Sequence, residues 1–302
     1  MLRPFALHRP GTAEEACALL ARFGEDAAPY AGGTELLLLM KLGVLRPRHL
    51  VDVKRLPGFD AITDGGRLTL GAAVTHRAVE RSSLLGERAP LVAAVARHVA
   101  NVRVRNVGTV GGNLAFADPH SDLATLFLTL DATVTLVSPR GHRELALADF
   151  TRGAWDTARE IDELLTSVRV TPWPAGTAAV YLKFGVHERP TLGVALALVL
   201  DARRAHVTEA RLAIGCVDPR PVRVPSAEAR LRGTAVAELE DAAGTAGELA
   251  SAAVEPDDDL HGSADYKREM VAVFVRRALR VAVQRARDAA APLPKFPYTV
   301  IA

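Results

Sequence analysis

Cysteine is scarce. Two residues in 302, Cys17 and Cys216, allow at most one bridge, which excludes a disulfide-stapled scaffold. Without a CxxC pair there is also no iron–sulfur or structural zinc cage. Aromatic residues make up 5% of the chain, too few for the stacking platforms of single-strand binders. Neither charge sign dominates. The 37 Lys+Arg against 35 Asp+Glu leave +2, far from the basic excess of a dedicated nucleic-acid binder. No segment reaches the roughly 18 uninterrupted apolar residues of a membrane span. The longest runs, 36–40 and 192–200, have the length of buried strands or core helices. Near the start, Arg3 and Arg9 lead into Thr12, Ala13, Glu14 and Glu15 rather than into the apolar core of a secretory signal. A cytoplasmic location is the expectation, in keeping with the few cysteines.

Several catalytic signatures are missing too. No two of the nine histidines lie closer than 19 positions, so no HxxxH or HExxH metal pairing exists. There is no GxSxG elbow and no GxxxxGK[ST] loop. His120, Ser121 and Asp122 are adjacent, and neighbouring side chains point apart, so they do not read as a triad. No catalytic acid, base or nucleophile and no metal ligand is expected.

What is present is a hydrophobic fraction of 49%, enough for real cores, in a length that suggests two domains. Thr12 and Glu15 have capping-box spacing, and Ala16, Leu19, Leu20 and Phe23 follow at helical period before Gly24. The spacing predicts a helix over 13–23. Short strands are expected at 27–31, 51–53, 68–74 and 133–138, and helices at 88–101 and 122–130. Residues 106–113 read as a glycine-rich turn. Pro172, Trp173 and Pro174 mark a domain junction. Beyond it come three strands at 179–184, 192–200 and 207–217, helices at 226–232, 236–253 and 264–285, and an irregular tail over 287–302.

Two glycine-rich loops carry the chemistry. The first is Ala31, Gly32, Gly33, Thr34, Glu35, between a strand and a helix. The second is Thr109, Val110, Gly111, Gly112, Asn113. Missing side chains let backbone amides approach an anionic ligand closely. Either loop alone reads as a plain turn. Two of them about 75 positions apart could clamp a diphosphate from two sides, with Asp122 accepting from a sugar hydroxyl. No GxGxxG is present, so the binding would not be of the Rossmann type.

At these residues the chain resembles a known family. AGGTELLLLMK at 31–41, RNVGTVGGNLAFADPHSDL at 105–123, ELLTSVRV at 163–170, YLKFGVHER at 181–189, PRPVRVPSAEARL at 219–231 and SADYKREM at 263–270 resemble the flavin-carrying medium subunit of the molybdenum hydroxylases, the xanthine dehydrogenase and carbon monoxide dehydrogenase group. The resemblance covers almost the whole chain. It implies an α+β fold: a two-lobed FAD-binding domain (PCMH-like) over 1–173, then a smaller α+β domain over 177–286 with a three-stranded antiparallel sheet and helices. It implies bound FAD, with residues 31–35 wrapping the pyrophosphate and 109–113 as the opposing clamp. Asp122 would lie near the ribose and adenine end, Leu165 near the isoalloxazine ring and Lys183 near the flavin. The reading of Lys183 by itself is a snorkelling surface lysine. At 187–191 the sequence His-Glu-Arg-Pro-Thr departs from the family's arginine pair and aspartate.

The implied function is an electron-transfer subunit that passes electrons from a partner's iron–sulfur clusters through FAD to NAD, a quinone or dioxygen. The implied partners are a small iron–sulfur subunit and a large molybdopterin subunit, assembled as a dimer of heterotrimers. A self-contained flavin oxidoreductase of the same superfamily is the alternative, and a degenerate assembly scaffold a third reading.

Overall fold

The structure is a computed structural model that describes residues 2–185, 189–288 and 292–302. His187 and Glu188, two of the five positions in the departing segment, lie outside the described residues. By its contacts the chain divides into two units. The first takes the segments up to Arg88, Val99–Asp118 and Asp131–Thr171; the second takes Ala89–His98, Pro119–Leu130 and everything from Pro172 on.

Among the described residues the first unit holds two larger sheets and a two-stranded ribbon of Thr151–Gly153 and Asp156–Thr157. Three parallel strands are ordered Ala6–His8, His49–Asp52, Ala27–Tyr30. The helix Ala13–Phe23 joins two of them. It forms where the periodicity places it, with the Thr12 hydroxyl accepting from the Glu15 amide at 3.2 Å and the Glu15 carboxylate accepting from the Gly11 amide at 2.7 Å. Its apolar stripe, Ala16, Cys17 and Leu20, is buried. The second sheet is antiparallel throughout, ordered Ile62–Asp64, Leu68–Gly71, Leu164–Val170, Thr133–Ser138, Gly141–Ala146. Thr133–Ser138 alternates between buried and half-buried residues, the signature of a strand with one face in a core.

The second unit is a five-stranded antiparallel sheet with helices on both faces. Its order is Val222–Arg223, Val207–Gly215, Leu192–Leu200, Ala178–Phe184, Thr299–Ile301. The three expected strands are its centre. The sheet gains a short strand at each edge, and one of them corrects the irregular tail: Thr299–Ile301 pairs with Leu182–Phe184. The even-numbered residues Leu192, Val194, Leu196 and Leu198 form one core with Phe274, Val275 and Leu279 of the helix Ala264–Arg287. Small residues recur on the opposite face. A Cβ on Gly215 would run into the Thr125 side chain of the helix Asp122–Leu128, so that face lets a helix lie close. The helix Pro90–Arg97 also belongs here, shorter than the expected 88–101. Burial on both faces explains why Leu192–Leu200 reads as an almost unbroken apolar run.

Candidate functional site

In the first unit the strand Ala27–Tyr30 runs into the loop 31–35, which opens the helix Leu36–Leu42. Gly33 sits at φ +71°, a left-handed conformation, and the Tyr30 ring lies where its side chain would go. Gly32 is required by contact. A Cβ there would stand 2.8 Å from the Cα of Gly108, and nearer still to the carbonyl oxygen of Val107. The first glycine loop therefore meets, backbone to backbone, the Val107–Gly108 segment that leads into the second.

Their roles differ. Among the described residues, the amides of Gly32, Gly33 and Thr34 donate to nothing. Unpaired donors at the surface of a close-packed junction are what an oxyanion needs. In the second loop most amides are already committed. Val110 N donates to Val74 O and Gly111 N to Ala72 O, both at 2.9 Å, and Asn113 N donates to Thr109 O at 2.9 Å. Gly112 N donates to the Thr109 hydroxyl at 3.1 Å. This corrects the reading of 106–113 as a turn: Gly111 and Gly112 lie in the first turn of a helix, Val110–Phe116, capped by Thr109. Gly111 is there because its Cβ would stand 2.7 Å from the Ala72 Cα. Val110 is fully buried, and both its amide and its side chain are spent on the fold. The second loop thus serves as the packed wall against which the donor loop is set. Leu165 is buried on Leu164–Val170, opposite Leu136.

Beside this junction lies His76, 3% exposed, whose backbone amide donates to Gly108 O at 3.0 Å. Burial, and secondarily the Arg105 cation, hold its pKa down to about 4. Glu80 accepts from Arg77 at 2.7 Å and pairs with Arg105 at 3.3 Å.

The second unit gathers Asp122 and Lys183. Asp122 Oδ2 accepts from Lys183 Nζ at 2.7 Å, and Oδ1 accepts from the Tyr181 hydroxyl at 2.9 Å. Lys183 also donates to His98 O at 3.0 Å. Its side chain is only 12% exposed, so it is no snorkelling surface residue. Burial pushes the Asp122 pKa up, against the pull of Lys183 and Tyr181. Tyr181, held protonated by burial and by the neighbouring carboxylate, is the member that sequence reasoning missed. Its signal was the i, i+2 spacing of Tyr181 and Lys183, which puts both on one face of the strand Ala178–Phe184. His120 and Ser121 turn elsewhere: His120 Nδ1 bonds to Pro190 O at 2.7 Å, and the Ser121 hydroxyl accepts from the Ala124 amide.

This geometry sets a row of bare main-chain amides at 32–34 on an α+β scaffold. Residues 3–174 match the family described as FAD binding domain in molybdopterin dehydrogenase, and residues 187–282 match the CO dehydrogenase flavoprotein C-terminal domain. The chain belongs to this family of FAD-binding oxidoreductase subunits, and its cofactor is FAD. It is 34% identical over 282 residues to the carbon monoxide dehydrogenase medium chain of Hydrogenophaga pseudoflava, covering 93% of this chain and 98% of that one. Among solved structures, carbon monoxide dehydrogenase from the same organism superposes with a TM-score of 0.89 at 35% identity, over 94% of this chain and 99% of that one. Quinoline 2-oxidoreductase from Pseudomonas putida 86 gives 0.87 at 30% identity, over 95% and 99%. Medium chains are by name parts of multi-subunit enzymes, and this chain is one subunit of such an assembly. Among the described residues no helix is long and apolar enough to cross a membrane.

Proposed function

We propose that this chain is the FAD-binding, electron-transferring medium subunit of a molybdenum hydroxylase, working beside a small iron–sulfur subunit and a large molybdopterin subunit in a dimer of heterotrimers. When bound, FAD supplies one- and two-electron redox chemistry, which lets such a subunit connect a partner's clusters to NAD, a quinone or dioxygen. The observation that carries the reading is the meeting of Gly32 with Gly108, which leaves the amides of Gly32, Gly33 and Thr34 as a preformed set of donors. In this reading those three amides hold the diphosphate. Thr109, Gly111, Gly112 and Asn113 fix the wall behind them. The resemblance adds Glu35 and the Thr34 hydroxyl at the same loop, and Leu165, Asp122 and Lys183 as further cofactor positions.

The chain's own residues act by binding and orientation. Backbone donors fixed by packing need no rearrangement when the anion arrives. Reconstitution tests the reading. The purified chain, incubated with excess FAD and desalted, should retain flavin absorbance; a colourless protein refutes it. Native purification should bring iron and molybdenum in stoichiometric partners, and a flavin-loaded chain without them would refute the assembly.

A further inference from the structure

The helix Leu36–Leu42 is apolar on every side except at Lys41, and a helix of that kind belongs in a core. Of its seven residues only Met40 is buried. Leu38 and Leu42, one turn apart on the same face, are both exposed. The chain then folds back. Gly43, at φ +76°, closes a Schellman cap: its amide donates to Met40 O at 3.2 Å, and the Val44 amide donates to Leu39 O at 3.0 Å. The Leu45 amide reaches the same carbonyl at 3.3 Å. That motif usually tucks its last apolar residue against the helix. Here Val44, like Leu42, stays 67% exposed, and Leu45 is exposed as well.

Four large apolar side chains in the stretch 38–45 expose an area on the order of a few hundred Å², which on a soluble protein marks an interaction site rather than scattered leucines. The cap fixes their arrangement in advance, so covering them costs little ordering. The border of this strip is cationic. Lys41 and Arg46 are exposed, and among the described residues neither pairs with a carboxylate. From 36 to 50 the chain has no Asp or Glu.

These cations decide what can cover the strip. In a two-fold contact between copies of this chain, the strip would face itself and set Lys41 and Arg46 against their own counterparts. A cover edged with Asp and Glu meets no such repulsion. Position narrows the choice further. The strip stands on the helix that the loop 31–35 opens, in the unit that carries the bare amides of that loop. The subunit that has to approach this unit in order to work is the one that hands electrons to the cofactor.

We propose that Leu38, Leu42, Val44 and Leu45 form the seat of the iron–sulfur subunit, which meets them with an apolar surface edged by acidic residues. This rests on the assembly proposed above and gives it a docking surface on this chain.

The assembly, purified with each full-length variant in place of the wild type and diluted in steps, tests it by native mass spectrometry. Leu42→Glu with Val44→Glu should raise the concentration at which half of the chain keeps its iron–sulfur partner by about thirtyfold or more. FAD binding and the urea midpoint of the isolated chain should stay at wild-type values. Lys41→Glu with Arg46→Glu should raise that concentration several-fold, chiefly at low salt. Leu260→Glu, at a fully exposed leucine of the second unit, should change nothing. An unchanged concentration in the apolar double variant overturns the proposal. An equal loss in Leu260→Glu overturns it too, since added surface charge would then be the cause. So does loss of the molybdopterin subunit alone. If the variant keeps its partner but no longer self-associates, or no longer binds vesicles of anionic phospholipid, the cover is a second copy or a membrane and the proposal falls. Should the double variant fail to fold, acetylation of Lys41 in the wild type decides: loss of labelling in the assembly relative to the free chain supports the seat, and equal labelling overturns it. A wild type that holds no iron–sulfur subunit refutes the assembly itself; a wild type and a variant that hold it equally well refute only the seat.

Discussion

Replacing Gly32 by alanine probes the junction directly. The new methyl would lie 2.8 Å from the Gly108 Cα and 2.8 Å from the Val107 carbonyl carbon. Unstrained carbon atoms stand about 3.5–4.0 Å apart, so the loops must separate by roughly 1 Å. No side chain can rotate away, because both neighbours are main chain. The Val107–Gly108 segment is itself tied down by His76 N to Gly108 O at 3.0 Å and Val110 N to Val74 O at 2.9 Å. The donor loop is thus the part that yields. Overpacking of this kind costs about 1–3 kcal/mol, which urea denaturation of the apo protein would read as a lower midpoint at unchanged slope. Moving the amides of Gly32, Gly33 and Thr34 by such a distance takes at least one of them out of hydrogen-bond range. Each bond to a charged oxygen is worth about 1.5–3 kcal/mol, so FAD affinity should fall about ten- to hundredfold. Quenching of flavin fluorescence on titration measures it. Gly86→Ala is the control, because a Cβ there meets nothing within 4 Å. If Gly32→Ala binds FAD within twofold of wild type and keeps its midpoint, the two loops do not form the cradle.

Gly244 lies inside the helix Leu239–Ala252 with open space around its Cα, so Gly244→Ala should stabilise the protein by about 0.5–1 kcal/mol in urea denaturation. Lys183→Met strands the buried Asp122 carboxylate and should cost about 3–5 kcal/mol at neutral pH. That loss should shrink on acidification, because burial already pushes Asp122 toward its protonated form. The His76 pKa falls on folding, from 6.5 to about 4, so the unfolded chain binds the extra proton between those values. Its contribution to stability is whole above pH 6.5 and is lost as pH falls toward 4, by up to about 3 kcal/mol; His76→Leu should flatten that stretch of a stability–pH profile. The Cys17 thiol is buried, donates to Val137 O at 3.2 Å and has its pKa pushed up to about 11, so it should resist iodoacetamide at pH 8 until the protein unfolds.

How much of this was legible in the sequence follows from the range over which each feature is determined. The helix Ala13–Phe23 could be read because its cap, period and stop lie within a dozen residues, and Thr133–Ser138 because alternation is a local record of one buried face. That the loop 31–35 joins a strand to a helix was legible for the same reason. The second loop misled, because glycine there answers a demand from elsewhere. Gly111 is small so that a helix can touch Ala72, 39 positions earlier, and sequence alone cannot distinguish that need from a turn. Strand Thr299–Ile301 has three residues and no pattern of its own; only its pairing with Leu182–Phe184, over 100 positions away, makes it a strand. The bond from Tyr181 to Asp122 spans 59 positions, and the helix Asp122–Leu128 lies close to a strand far downstream because Gly215 leaves room for Thr125. His76 is the extreme case. No spacing marks it, and its neighbours in sequence say nothing of Gly108. Among the described residues its buried Nδ1 has no partner, and a missing hydrogen bond is visible only after every other group has been placed.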